Sequence, residues 1–346
     1  MRFISAPDSV SLAIQRTREF LFRPFRWGTY LKLGLVAIIT EGIGSNLRSS
    51  QHGGPSTGQG PMINSPFNIP PVWIAAIVVA VLLAMLLSLV AFYLITRLRF
   101  AFFHCLTHNI KEIRPGWRLY REQATRFFWL NLGVGVGFLL LVVLVALPFV
   151  AGFIRLFHET PPGGPPDWGL LLSLVLPLIP ILILLALVGV ALDVILRDWM
   201  LPHYALEDAT AGEAWQEVWD RITAEKSQFA VYALLRLILP VIAMVALLIV
   251  LVIPGLMVAG SVAAIVYAIH SAFADATGAS ALIGILLQVF FGVVAFGFAL
   301  LASICLGGPL STGLREYALI FYGGRYQALG DLLDPPPPPP FVPGAY

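Results

Sequence analysis

The sequence predicts an all-α protein, a polytopic bundle of about six transmembrane helices joined by amphipathic elbow helices. Three observations carry that prediction. Apolar runs are long enough to cross a bilayer: Val72–Thr96 is 25 residues without a charge, and Trp129–Ile154 and Gly169–Ile195 are comparable. About 20 apolar residues suffice for the roughly 30 Å hydrocarbon layer. Composition agrees, with 58% hydrophobic and 12% charged residues against a globular norm of about 25% charged. Finally, Lys and Arg fall almost entirely in alternate connecting segments.

The chain opens on Ser9–Trp27, where Val10, Leu12, Ile14, Phe20, Leu21, Phe22 and Phe25 alternate with Arg16, Arg18, Arg23 and Arg26. Residues 1–28 therefore read as an interfacial amphipathic segment. It fits either anionic lipid headgroups or a topology determinant without a specific lipid. Met1–Phe22 has neither a compact apolar core nor a small-residue cleavage site, so the first span is expected to act as the insertion signal. Residues 29–330 form the helical membrane domain, and residues 331–346 a proline-rich cytoplasmic tail. Its six consecutive prolines, Pro335–Pro340, favour a polyproline II rod.

Span one, Thr29–Gly44, contains Lys32 and Glu41, which are expected to be solvated at its two ends, while Trp27 and Tyr30 suit an aromatic belt. Spans two to four are Val72–Thr96, Trp129–Ile154 and Gly169–Ile195. In the last, 19 residues are Leu, Ile or Val; at roughly −0.5 kcal/mol each they outweigh Asp193, which costs at most about +3. Phe229–His270 holds either one span or two. One span with a kinked or folded-back extension is expected, because the alternative puts Arg315 and Arg325 outside. Ala281–Leu306 is the sixth span. Gly53–Pro71 and His158–Asp167 read as outer loops.

Orientation follows from charge. The N-terminal segment, the loop after the second span and the loop after the fourth carry 15 of the 21 Arg and Lys, whereas the opposite side has Arg48 and Arg155. Both termini are expected in the cytoplasm, with the protein in a prokaryotic cytoplasmic membrane. A net charge of +2 gives no footprint for nucleic acid. Membrane lipids, including anionic headgroups, are the expected partners, and a protein partner or homo-oligomer stays open. Cys105 and Cys305 make no disulfide framework.

An internal repeat at a constant offset of 98 matches Leu98-Arg99 with Leu196-Arg197 and Trp117 with Trp215. In the second copy Thr210-Ala211-Gly212-Glu213 has the form of a capping box, and Trp215, Val218, Trp219 and Ile222 share one face. Trp117, Trp215 and Trp219 are the expected anchors of the elbows at headgroup level. Two spans per unit would make the copies parallel repeats.

The motifs Phe22-Arg23-Pro24-Phe25-Arg26-Trp27-Gly28, Arg197-Asp198-Trp199-Met200-Leu201-Pro202 with Ala214-Trp215, and Pro309-Leu310-Ser311-Thr312-Gly313-Leu314-Arg315-Glu316-Tyr317 resemble an uncharacterised family of six-span prokaryotic membrane proteins. More distantly, the chain is similar to the membrane domain attached to some glycerophosphodiester phosphodiesterases. The resemblance implies a six-helix membrane fold and no established activity.

Among residues that could carry chemistry, Asp193 and Arg236 lie inside apolar runs, where ionisable groups need partners. An ion pair between them is expected, with Arg197 one turn from Asp193 as a competitor. Gly133 and Gly137 form a GxxxG face for close helix packing. His104 and His108 share a helical face but lack a third ligand, so no metal site is expected. No cofactor motif, nucleophile–base arrangement, HExxH or intramembrane carboxylate pair is present. The expectation is a non-enzymatic scaffold, assembly factor or lipid-associated helper; the alternative is a transporter or channel for a small solute.

Overall fold

In the computed structural model, residues 4–46, 71–159, 168–274 and 278–335 are described, and they contain helices but no strand. In chain order these are α1 (Ala6–Phe22), α2 (Trp27–Asn46), α3 (Pro71–Thr107), α4 (Ile113–Leu119), α5 (Arg121–Glu159), α6 (Trp168–Val194), a π-helical turn (Ile195–Met200), α7 (Leu201–Leu206), α8 (Ala211–Ala224), α9 (Lys226–Ala272), α10 (Ala279–Gly323) and α11 (Gln327–Leu333). Residues 53–70, 160–167 and 336–346, which include most of both expected outer loops and of the proline tail, lie outside the described residues.

Each of the six expected spans is helical. Among the described residues, six stretches are long and apolar enough to cross a membrane, namely Val72–Thr107, Arg121–Leu156, Leu171–Leu206, Lys226–Ile249, Gly255–Ala272 and Ser280–Gly323. The set differs from the expected one in two places. Two of the stretches belong to α9, which is a single helix of 47 residues; at 1.5 Å per residue it is about 70 Å long. Being continuous, it does not turn back, so the second stretch prolongs the first instead of forming a return crossing. Helix α2, in which Lys32 and Glu41 interrupt the apolar pattern, is absent from the set, although its 20 residues reach about 30 Å.

Local chemistry explains the short elements. Ser5 caps α1 by accepting from the Asp8 N–H, and Pro7 suits the first turn. Thr210 and Glu213 form the expected capping box at α8, with Thr210 N–H donating to Glu213 Oε2 at 2.8 Å and Glu213 N–H to Thr210 Oγ1 at 3.4 Å. Lys111 Nζ donates to the carbonyls of Arg23 and Pro24, at 3.0 and 3.1 Å, tying down the α1–α2 junction. Burial and the neighbouring Arg26 charge push the Lys111 ammonium below its ordinary pKa.

The chain divides into two packed units. In the first, formed by residues 1–68, 102–113 and 227–324, both α1 and α2 pack on α10. Helix α1 uses a stripe of mainly small residues for this, with Ala6, Ser9, Ala13, Thr17 and Phe20 buried. Leu12, Ile14, Phe22 and Phe25 stay exposed. The segment read as interfacial thus has protein on one side and a free apolar side on the other. Helices α2 and α10 meet at glycine: a Cβ on Gly308 would lie 2.7 Å from the Gly34 Cα. Tyr232 stacks between Tyr317 and Phe321, with centroids 4.9 and 4.4 Å away.

The second unit comprises residues 69–101, 114–226 and 325–346. Its aromatic core includes Phe100 against Tyr120 and Phe127, and Phe127 against Tyr204. Burial in both units concentrates where the long helices run into the elbows. Phe100–Leu106 and Tyr317–Tyr322 are almost wholly buried, whereas every described side chain from Val72 to Val90 is exposed. Five of the six apolar stretches bury none of their most hydrophobic window within the protein.

Gly308→Ala should lower stability by about 1–3 kcal/mol through overpacking against α2. Gly133→Ala, which meets no atom within 4 Å, should be neutral or stabilising by up to about 1 kcal/mol. Thermal unfolding of the detergent-solubilised protein checks both, and an unchanged Tm for Gly308→Ala would contradict the α2–α10 contact.

Candidate functional site

The buried charges sort themselves differently from the expected pairing. Arg236 Nη2 donates to Glu41 Oε2 at 2.8 Å, and both side chains are 5% exposed. Asp193 is held by Arg197, its competitor one turn on, at 3.6 Å and remains 44% exposed. The single expected pair between Asp193 and Arg236 is therefore replaced by two. Glu41, expected to be solvated at a span end, is instead buried as the partner of Arg236. Sequence periodicity could not choose among carboxylates on different helices, and Asp193 has the shortest route to Arg197.

A second buried carboxylate lies in the same unit as the Glu41–Arg236 pair. Glu316 is 1% exposed and sits 3.4 Å from Arg16 of α1, next to the buried Arg315. Both residues belong to the closing motif that carries the family resemblance. An uncompensated charge in such surroundings is strongly disfavoured, so these pairs fix α1 and α9 to their neighbours. Their chemistry permits two roles, a structural clasp or a site for an ion or proton.

In the other unit, the π-helical turn and α7 position a polar cluster under α8 and α11. Arg197 and Asp198, both buried, are 3.6 Å apart within that turn. His203 is fully buried, its ring tilted by 37° against that of Tyr326 with centroids 4.3 Å apart. One ring nitrogen is 3.1 Å from Glu207 and the other 3.3 Å from Arg221. Arg221 also pairs with Glu217 at 2.6 Å, and Arg325 with Glu225 at 2.8 Å. Burial alone would raise the Glu207 pKa, but hydrogen bonds from His203 and Tyr326 and nearby positive charge outweigh it and hold the carboxyl below its ordinary value. Backbone and side-chain hydrogen bonds from Thr210 likewise hold Glu213 low.

His203, Glu207 and Glu217 bring one donor atom each within 4.8 Å of one another, a grouping the sequence analysis missed because it joins two helices. The guanidinium of Arg221 already supplies the positive charge there. Among the described residues no third ligand group forms around His104 and His108, whose rings lie 4.3 Å apart.

The elbow aromatics have two kinds of surroundings. Arg97 lies over the Trp117 ring at 4.4 Å and donates to its carbonyl at 2.8 Å, an arrangement that holds α4 against α3. Trp215 and Trp219 stack on each other 6.0 Å apart and face outward, 42% and 51% exposed. Ala214 and Val218 are the residues of α8 that pack inward. Beside Trp215 an apolar groove runs between Leu130 and Val134 of α5 and Leu192, Leu196 and Met200 at the α6 elbow.

The GxxxG face needs correction. No atom lies within 4 Å of a Cβ built on Gly133 or Gly137. The spacing is right, but the glycine of α5 that meets a neighbouring helix is Gly152, against Leu174 of α6, and the glycine-to-glycine contact lies between Gly34 and Gly308.

Fold and site together define a helical protein of membrane type, with one buried ion pair between α2 and α9 and a second polar cluster at the elbow around His203. Residues 4–332 match the family of unknown function (DUF7544), and the chain belongs to that family. Neither curated proteins nor solved structures gave a match.

Removing one member of the buried pair should cost about 3–5 kcal/mol. Glu41→Leu and Arg236→Met are each expected to lower Tm sharply, and the double variant to recover most of the loss. A double variant no better than either single one would reject the pair as a clasp. Because Glu207 and Glu213 have depressed pKa values, their contribution is complete above the ordinary carboxylate range and is lost as pH falls through the folded-state values. Hydrogen exchange of α8 amides, corrected for intrinsic pH dependence, should quicken below about pH 4 and be flat from pH 6 to 8.

Proposed function

We propose that this chain is a non-enzymatic integral membrane protein, a scaffold, assembly factor or lipid-associated helper whose elbow helices lie among lipid headgroups. It is placed in a prokaryotic cytoplasmic membrane with both termini in the cytoplasm. The observation that carries the proposal is the outward-facing stack of Trp215 and Trp219 on a capped amphipathic helix, the arrangement suited to an interface that is apolar on one side and wet on the other. The charge asymmetry of the connecting segments supports the orientation. The sequence of long helix, short helix, long helix occurs in α3–α5 and in α6–α9, which supports a parallel internal repeat. The likeness to the membrane domain attached to some glycerophosphodiester phosphodiesterases concerns membrane helices alone and adds no activity.

The second reading, a transporter or channel, draws support from the buried Glu41–Arg236 pair, since ionisable side chains in apolar spans often mark ion paths. Reconstituted liposomes separate the two readings. A helper should float with vesicles, lose binding to anionic lipid on joint Trp215→Ala and Trp219→Ala substitution, and move no solute. Solute flux abolished by Glu41→Gln would favour the transporter. Topology is checked in a background with Cys105 and Cys305 changed to Ser. An impermeant maleimide should label Ser271→Cys from outside intact cells and Gln216→Cys only after permeabilisation; the reverse pattern would invert the orientation.

A further inference from the structure

The groove beside Trp215 deepens this reading and rests on it. Its walls are Leu130 and Val134 on one side and Leu192, Leu196 and Met200 on the other, with Trp215 across one end. A groove this apolar has no use for water, and in a bilayer it would be filled by hydrocarbon. Gly133 and Gly137 lie on the same side of α5, at i+3 and i+7 from Leu130, and the space beyond both is open. That space extends the groove toward the middle of the apolar run.

The opposite end carries charge. Arg126 precedes Leu130 and Val134 by one and two turns, so the three share one helical row. An independent contact gives the same placement: Arg126 Nη1 lies 3.3 Å from Asp208, two residues before Thr210, which caps α8. Arg126 is about half exposed. An exposed pair of this kind is worth little in water, so a phosphate can compete with Asp208 for the guanidinium. A cation at the mouth, an interfacial tryptophan beside it and an apolar trough below match the parts of one amphiphile.

We propose that this groove is a binding site for one acyl chain of an anionic phospholipid, with its phosphate on Arg126 and its hydrocarbon along Leu130, Val134 and the open face of Gly133 and Gly137. The lipid would fill space that no described side chain occupies and would join the α5 row to the α6 elbow.

Native mass spectrometry of the full chain released from nanodiscs containing phosphatidylglycerol and phosphatidylcholine tests the site. Wild type should retain one phosphatidylglycerol in preference to phosphatidylcholine. Val134→Trp and Gly133→Leu, each filling the trough, should abolish that retained lipid while circular dichroism and elution volume stay unchanged. Arg126→Gln should keep a bound lipid but lose about fivefold in preference for the anionic headgroup, the effect of one cation near an anionic surface. With brominated acyl chains, Trp215 should be quenched, read as the difference from Trp215→Phe. Retention unchanged in both trough-filling variants would overturn the groove while leaving general lipid association intact. A second copy of the chain replacing lipid at this face would also overturn it. Failure of the wild-type protein to associate with vesicles at all would defeat the underlying functional reading instead.

Discussion

The apolar helices of this chain suit hydrocarbon as their solvent, because among the described residues the protein itself does not cover them. Val72–Val90 and the middle of α6 present Leu, Ile and Val outward over most of their length. In water such a surface is a severe liability, at about 25 cal/mol per Å². In a bilayer it costs nothing, since lipid tails are as apolar as leucine. The absence of water there obliges each backbone N–H and C=O to find an internal partner. Long uninterrupted helices such as α3, α9 and α10 follow from that requirement.

Once lipid takes over burial of the spans, side-chain specificity retreats to the places where helices leave the membrane. The tightly packed residues are aromatic and polar, and they sit at the elbow ends: Phe100–Leu106, Leu196–Tyr204, Tyr317–Tyr322. Buried Glu316, Asp198 and His203 lie in these same segments. Glu316 meets Arg16 of another helix, Asp198 meets the adjacent Arg197, and His203 meets Glu207 one turn on. Folding of the elbows therefore depends on polar complementarity, and insertion of the spans on hydropathy. The two demands are met by different stretches of one chain.

That division also explains what could be read from the residues alone. Span positions, the α8 capping box and the outward Trp215 and Trp219 were legible, because each depends on local pattern within one or two turns. The motifs Arg197–Pro202 and Pro309–Tyr317 stand out as well; the first is a buried elbow segment, and the second is mostly half-buried up to Leu314 and buried from Arg315 on. Pairing was not legible. Nothing local in Glu41 announces that it meets Arg236, 195 positions away. Gly133 and Gly137 have the spacing of a packing face without a contact on it, whereas Gly34 and Gly308, which do touch, belong to different helices and form no motif. The His203, Glu207 and Glu217 group depends equally on two helices meeting.

The π-helical turn at Ile195–Met200 has a geometric corollary. Such a turn accommodates one residue more than an α-turn, so it resets the angular phase of everything that follows by about 100°. Met200 and His203 face their present neighbours only because of that offset. Excising a single residue between Val194 and Leu201 would restore a uniform screw and swing α7 around its own axis. His203 would then point away from Tyr326. The bulge acts as an indexing device, setting which side of one continuous rod meets α8 and which meets the membrane.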